Sequence, residues 1–232
     1  MRQICPPFLW TALSKCRKKL ILDKSASVSA NSFKVEDNNT QDLDMYWDPE
    51  FAKILDEWGK DNVWNEIQML LACGSGKVLD IACGNGRTIT ILDKYPNISV
   101  HGFDISDLLI SKAIEKGISS ERLRVTDATK TDYADKEFDY SYSIGSLEHF
   151  TIEGIDAFIS ESARYTKNAS FHMIPISRTG EDIGWIKTKQ SYFNNSEKWW
   201  LAKFQKHFNK VYPVPSKWED QLSFGRWFIC TK

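Results

Sequence analysis

Between residues 77 and 230 the hydrophobic pattern of this 232-residue chain switches repeatedly between strand and helix periods, and this constrains its fold more than any other feature. Strands are expected over 77–82, 98–104, 122–126, 138–144 and 169–174. Helices over 87–95, 106–116 and 153–166 fall between them, the second capped by Ser106 and stopped by Gly117. Such alternation builds a parallel sheet covered on both faces, because each helix must bury its apolar stripe against the strands it connects. Two last strands, 211–214 and 224–230, are joined by Pro215 to Ser223, which carries no helical period and suits an antiparallel hairpin. Before the sheet, Asp48-Pro49-Glu50 reads as N-cap, first helical position and first-turn acid of a helix to about Trp58. A second helix runs from about Asp61 to Cys73 and is ended by Gly74 or Gly76. A further helix over 197–208 places Trp200 and Phe204 four residues apart on a buried face. The expected fold class is α/β: a doubly wound, mostly parallel seven-stranded sheet with helices on both faces and an antiparallel terminal hairpin.

Composition narrows the function classes. A formal net charge of −1 offers no global basic field for nucleic acid, and no run of about 18 apolar residues suggests a membrane span. Five cysteines without a C-x-x-C pair point to reduced thiols in a cytoplasmic protein. Residues 1–24 stand apart, with six cations against one acid, and Leu9, Leu13, Cys16 and Leu20 recur on one helical face. That pattern fits a helix lying on an anionic membrane surface, at the inner face of the membrane, or one packed on the domain or a second subunit. Residues 25–45 read as a flexible linker or a lid that orders over a ligand, and 46–232 as the folded domain.

The first strand runs into Val78-Leu-Asp-Ile-Ala-Cys-Gly-Asn-Gly-Arg-Thr88. Glycines at a strand-to-helix turn let the backbone approach a ligand, and ligands of doubly wound sheets sit at the carboxyl ends of the strands. Here the turn follows an acid, Asp80. A pyrophosphate would be repelled by it, whereas a ligand ammonium would be attracted. Asp104 ends the second strand 18 residues after Gly86, where an acid takes ribose hydroxyls. Asp127-Ala128 follows the third, where a carboxylate accepts from an adenine amino group. Ammonium, ribose and adenine acceptors in that order describe S-adenosylmethionine.

VLDIACGNGR, GFDIS, TDAT and FDYSYSIGSLEHF resemble the successive motifs of class I S-adenosylmethionine-dependent methyltransferases over about residues 60–175. One departure is Ala82, where the family's turn has its first glycine. The resemblance implies that Asp80 faces the methionine amino end while Ala82, Gly84 and Gly86 line the turn. It puts Asp104 on the ribose, Ile105 against the adenine, and Asp127 and Ala128 at the adenine amino edge. Ile144 and Gly145 close beside the methionine part. Tyr46 and Trp47 belong to a segment that often covers the cofactor in this class.

An alcohol acceptor must lose a proton, and His149, just past the fourth strand, is the candidate general base, with Glu148 orienting it or binding the acceptor. His101 and His172 fall within strands and read as core histidines; His207 reads as a helix-end cation. No metal-site spacing is present, so metal-independent chemistry is expected. The polar stretch 176–196 is long enough for a lid. The two ends of the chain are loosely similar to methyltransferases of bacterial surface-polysaccharide clusters, which implies a sugar hydroxyl as acceptor. The expected reaction is therefore methyl transfer to a small molecule or glycan. The alternatives are N-methylation of a small amine and a non-catalytic S-adenosylmethionine-binding protein.

Overall fold

The computed structural model describes residues 41–232; the basic segment 1–24 and all of the expected linker up to residue 40 lie outside them. The strands are β1 (Gly76–Ile81), β2 (Ile98–Asp104), β3 (Leu123–Val125), β4 (Phe138–Ile144), β5 (Thr166–Ser177), β6 (Trp185–Ile186), β7 (Tyr192–Phe193), β8 (Lys210–Glu219) and β9 (Ser223–Thr231). The helices are α1 (Pro49–Ile54), α2 (Val63–Leu71), α3 (Arg87–Leu92), α4 (Asp107–Glu115), α5 (Ile152–Tyr165) and α6 (Glu197–Phe204). Seven strands form one sheet in the order β3-β2-β1-β4-β5-β9-β8. Pairs among the first five are parallel, while β9 runs antiparallel between β5 and β8. The expected fold class and terminal hairpin are both present.

Alternating side chains of the sheet divide the core. Val78 and Val100 meet α2, α3 and α4 through Ile67, Leu71, Ile89, Leu92, Ile110 and Ala113. Leu79, Ile81 and Phe103 face the other way, onto Phe158 and Ile159 of α5 and Trp200 and Phe204 of α6. Trp200 and Phe204 are fully buried, the face their spacing requires. Strand order reverses between β1 and β4, which opens a crevice at their carboxyl ends.

Two stretches differ from the sequence reading. The helix expected to reach Trp58 ends at Ile54, and turns carry the chain to Asn62. Gly59 lies flush on Trp64, so close that a Cβ there would stand 2.3 Å from the indole Nε1. Asp61 takes a left-handed φ of 63°, and the Asn62 side chain caps α2. The stretch 176–196 is not a polar lid. Trp185, Ile186, Tyr192 and Phe193 form the β6–β7 hairpin and are all buried, with Trp185 and Phe193 in the α5–α6 core. Its aromatic content, not its polar residues, decides its place. Among the described residues no helix is long and apolar enough to cross a membrane.

Candidate functional site

A cavity of about 200 Å³ lies at the carboxyl ends of β1 to β4. Each strand delivers its end residues there because the parallel register places all four ends on one edge. From the sequence candidates, Asp80, Ala82, Gly84, Asp104, Ile105, Asp127, Ala128, Ile144, Gly145 and Tyr46 line it. Gly86, Trp47, Glu148 and His149 do not.

The turn after β1 is left-handed at three alternate residues: Ala82 (φ 56°), Gly84 (φ 55°) and Gly86 (φ 72°). Alanine at the first position adopts the conformation that glycine takes without strain, so the departure leaves the turn intact at a local cost. Gly86 caps α3 and packs beneath it: a Cβ there would stand 2.4 Å from Ile118 Cδ1 and 2.9 Å from Ala113 Cβ. Its role is to seat the turn on α4, behind the cavity wall.

Asp104 is buried and divides its carboxylate between two backbone donors, Gly84 N–H at 2.8 Å to Oδ2 and Ser106 N–H at 3.0 Å to Oδ1. Ser106 caps α4, its Oγ accepting from Leu109 N–H and donating to the Tyr46 carbonyl. Asp104 therefore holds the glycine turn and the helix start together while still lining the cavity. Burial raises its pKa, opposed by those N–H groups. Asp127 uses Oδ1 for both Thr129 N–H and Thr129 Oγ1, at 2.8 Å each.

Asp80 is different. It is buried, and Oδ2 has no hydrogen-bond partner. Burial pushes its pKa well above the carboxylate range, opposed by the Tyr142 phenol and reinforced by the neighbouring Asp104 charge. A buried carboxyl on a cavity wall, with one oxygen short of a partner and only the Tyr142 phenol beside it, fits a ligand cation, so the residues present suit the ammonium end of S-adenosylmethionine.

Residues 41–58 cover these strand ends. Asn85, between the two turn glycines, donates from Nδ2 to the Ala52 carbonyl (2.8 Å) and Asp56 Oδ1 (3.1 Å), and Lys116 pairs with Asp56. Ser191 N–H donates to Asp42 Oδ2 (2.7 Å), and Gln190 Nε2 to Tyr46 Oη (2.5 Å), which ties the cover to the β6–β7 hairpin. Trp47 instead points outward, 43% exposed, its Nε1 bonded to Asp107 Oδ1. The sequence reading missed Phe51, Leu55, Trp58, Phe150, Arg87 and Gln190, all on the cavity wall. The aromatic residues at 51 and 58 were the available signal.

His149 sits behind the wall. Its Nδ1 lies 2.8 Å from the Ser191 carbonyl, which can only accept, so the proton is on Nδ1 and the Nε2 lone pair is free. Burial lowers its pKa to about 4. Glu148 Oε1 lies 3.7 Å from Nε2, too far for a hydrogen bond; Oε2 has no partner, and burial raises this carboxyl to about 8. Both side chains are thus neutral at pH 7. His172 matches its core reading: fully buried, it bridges Ser143 and Ser170 hydroxyls at 2.8 Å each, and burial lowers its pKa to about 3. His207 lies 3.3 Å from Asp156 near the end of α6, and His101 is half-buried on β2.

Comparison with known proteins agrees with this geometry. Residues 78–169 match a family model described as "Methyltransferase domain". Phosphoethanolamine N-methyltransferase 3 of Arabidopsis thaliana is 37% identical over 86 residues, 36% of this chain and 18% of that protein. The 27-O-demethylrifamycin SV methyltransferase of Amycolatopsis mediterranei (strain S699) is 26% identical over 110 residues, 45% of this chain and 40% of that protein. This chain thus spans less than half the length of either relative. Among solved structures, Haemonchus contortus Phospholethanolamine N-methyltransferase 2, in complex with phosphomonomethylethanolamine and S-adenosylhomocysteine, superposes with a TM-score of 0.59. That likeness is at 17% identity and covers 78% of this chain and 56% of the other. The family match lies on the strands that build the cavity, and the fold is the Rossmann-like one that S-adenosylmethionine-dependent methyltransferases among the solved structures share.

Proposed function

We propose that this domain methylates the nitrogen of a small amine. The observation that carries the reading is the state of His149. A hydroxyl acceptor needs a base near neutrality in contact with it, yet this imidazole is behind the wall and held down at about 4. The neutral fraction of an amine already presents a nucleophilic lone pair, so alignment is most of what the protein must supply. The phosphoethanolamine N-methyltransferases among the relatives support the same choice.

S-adenosylmethionine, when bound, supplies an electrophilic methyl whose bonding pair returns to sulfur as nitrogen forms the new bond, releasing S-adenosylhomocysteine and the surplus amine proton. In this reading Asp80 holds the ligand ammonium, Asp104 the ribose and Asp127 the adenine edge. Gly84 lets the turn approach, and the cover of residues 41–58 excludes water. The rifamycin relative favours a second reading, an oxygen acceptor.

The test supplies labelled S-adenosylmethionine with small primary amines, phosphoethanolamine among them, and with their hydroxyl counterparts. Label in the amine products is expected. Label in the hydroxyl compounds alone, or in neither set, overturns the reading.

A further inference from the structure

The charged residues lining the cavity are unevenly placed. Asp80, Asp104 and Asp127 stand at the ends of β1 to β3, and Arg87 opens α3 beside them. The wall formed by Ser146, Phe150, Gln190, Tyr46 and Trp58 carries no charged side chain. A cationic acceptor meeting that wall can be recognised only through aromatic faces and neutral hydrogen-bonding groups.

Trp58 is built for such a role. Gly145, at the end of β4, has a φ of 63° and no Cβ, and a Cβ there would stand 3.0 Å from Trp58 Cη2. The indole therefore lies against the strand end next to Asp80's strand. Trp218 of β8 supports it from elsewhere, with ring centroids 5.8 Å apart and 38° between planes. Trp58 stays 37% exposed although it lines the cavity. Among the described residues, Arg87 lies over Trp64 at 5.3 Å, Lys203 over Trp199, Arg124 over Tyr133 and Arg178 over Phe224, but no protein cation lies over Trp58. Indole is the strongest of the aromatic partners for an ammonium ion.

We propose that Trp58, wedged over Gly145 and supported by Trp218, is the face on which the acceptor amine first rests as its ammonium ion, the nucleophilic neutral amine forming from it by loss of a proton to solvent, and that the site selects weakly hydrated, alkylated ammonium ions. The proposal rests on the amine reading above. Methylation makes an ammonium softer and less hydrated, so each added methyl strengthens contact with this face. A neutral group of the same shape loses the electrostatic part of the attraction.

The full-length protein is saturated with S-adenosylhomocysteine and titrated with choline and with 3,3-dimethylbutan-1-ol, its uncharged isostere. Choline is expected to bind about tenfold more tightly, the ratio for about 1.4 kcal/mol of cation–π attraction. In Trp58→Leu the ratio falls to near one, and in Trp58→Phe it is intermediate. Both variants keep the wild-type circular dichroism spectrum and a cooperative thermal transition, which shows that each is folded. Equal binding of the two probes, no binding of either, or a ratio that survives Trp58→Leu overturns the proposal. If small amines are methylated but Trp58→Leu leaves their KM unchanged, the proposal fails and the amine reading stands. If only hydroxyl compounds are methylated, the amine reading itself fails.

Discussion

Glu148 turns burial into a pH dependence whose sign and size can be worked out. The residue is 3% exposed, with one carboxyl oxygen unpartnered and the other 3.7 Å from His149 Nε2; the Tyr46 and Tyr192 phenols also face it. In the folded chain its pKa is about 8 against an ordinary 4.5. The folded state therefore holds a proton that the unfolded state has released between those two values. The stabilisation is complete below pH 4.5 and is lost as pH rises through 8, at about 1.4 kcal/mol per pH unit and roughly 5 kcal/mol in all. His149 works in the opposite sense. Its folded value of about 4 lies below the ordinary 6.5, so stability is lost as pH falls from 6.5 towards 4.

Glu148→Gln isolates the first effect, because glutamine keeps the shape and stays neutral at every pH. Urea unfolding of both proteins without cofactor, at pH 5, 6, 7 and 8, gives the difference between them. Asp80 and Asp104, whose pKa values are also raised, lose stabilisation with rising pH in both proteins and cancel in that difference. Between pH 5 and 8 the variant should gain about 4 kcal/mol relative to the wild type. Parallel stability curves would refute the argument, because they would mean that Glu148 ionises as freely folded as unfolded.

His149→Ala should lower kcat on an amine less than about threefold, whereas a general base to a hydroxyl would cost at least about a hundredfold; steady-state kinetics decides. Gly86→Ala should cost about 3 kcal/mol of unfolding free energy, since its Cβ would press on Ala113 as well as on the movable end of Ile118, and Ala82→Gly should gain at most about 1 kcal/mol. Asp104→Ala should weaken S-adenosylhomocysteine binding about a hundredfold in calorimetry, because it frees the glycine turn and, in the proposed reading, removes the ribose acceptor. Binding of the same ligand should release protons, because an ammonium beside Asp80, whose pKa burial raises, favours its ionised form; calorimetry across a pH series in buffers of different ionisation enthalpy reads the count, and zero release throughout refutes it.

The half of the cavity built from strand ends was legible in the sequence because its signals are local. Asp80, Asp104 and Asp127 each close a strand whose period is visible within a few residues, and the parallel sheet brings such ends to one edge whatever lies between them. The cover was not legible in the same way. Trp58 reads as the last turn of a helix until Gly59 is seen pressed on Trp64, a contact that no period encodes. Gln190 and Ser191 reach the cover across 144 and 149 residues of sequence, where composition says only that the stretch is polar. His149 shows the limit from the other side. Its position after β4 was read correctly, but its proton affinity depends on burial and on the Ser191 carbonyl, which only the folded hairpin supplies.

That division has a chemical consequence. Strand ends hold carboxylates where a cofactor with fixed charges must be read group by group, and their geometry is set by the sheet. The rest of the wall comes from turns and a hairpin whose sequences are free to vary without disturbing the sheet. It presents indole, phenyl, phenol and amide groups, while Glu148 and His149 are kept neutral behind it and the Asp42 carboxylate is taken up by Ser191 N–H. An acceptor that brings its own positive charge therefore meets no charged imidazole from His149 on that side. Its positive charge is instead drawn toward the aromatic faces and the carboxyl groups that line the same cavity.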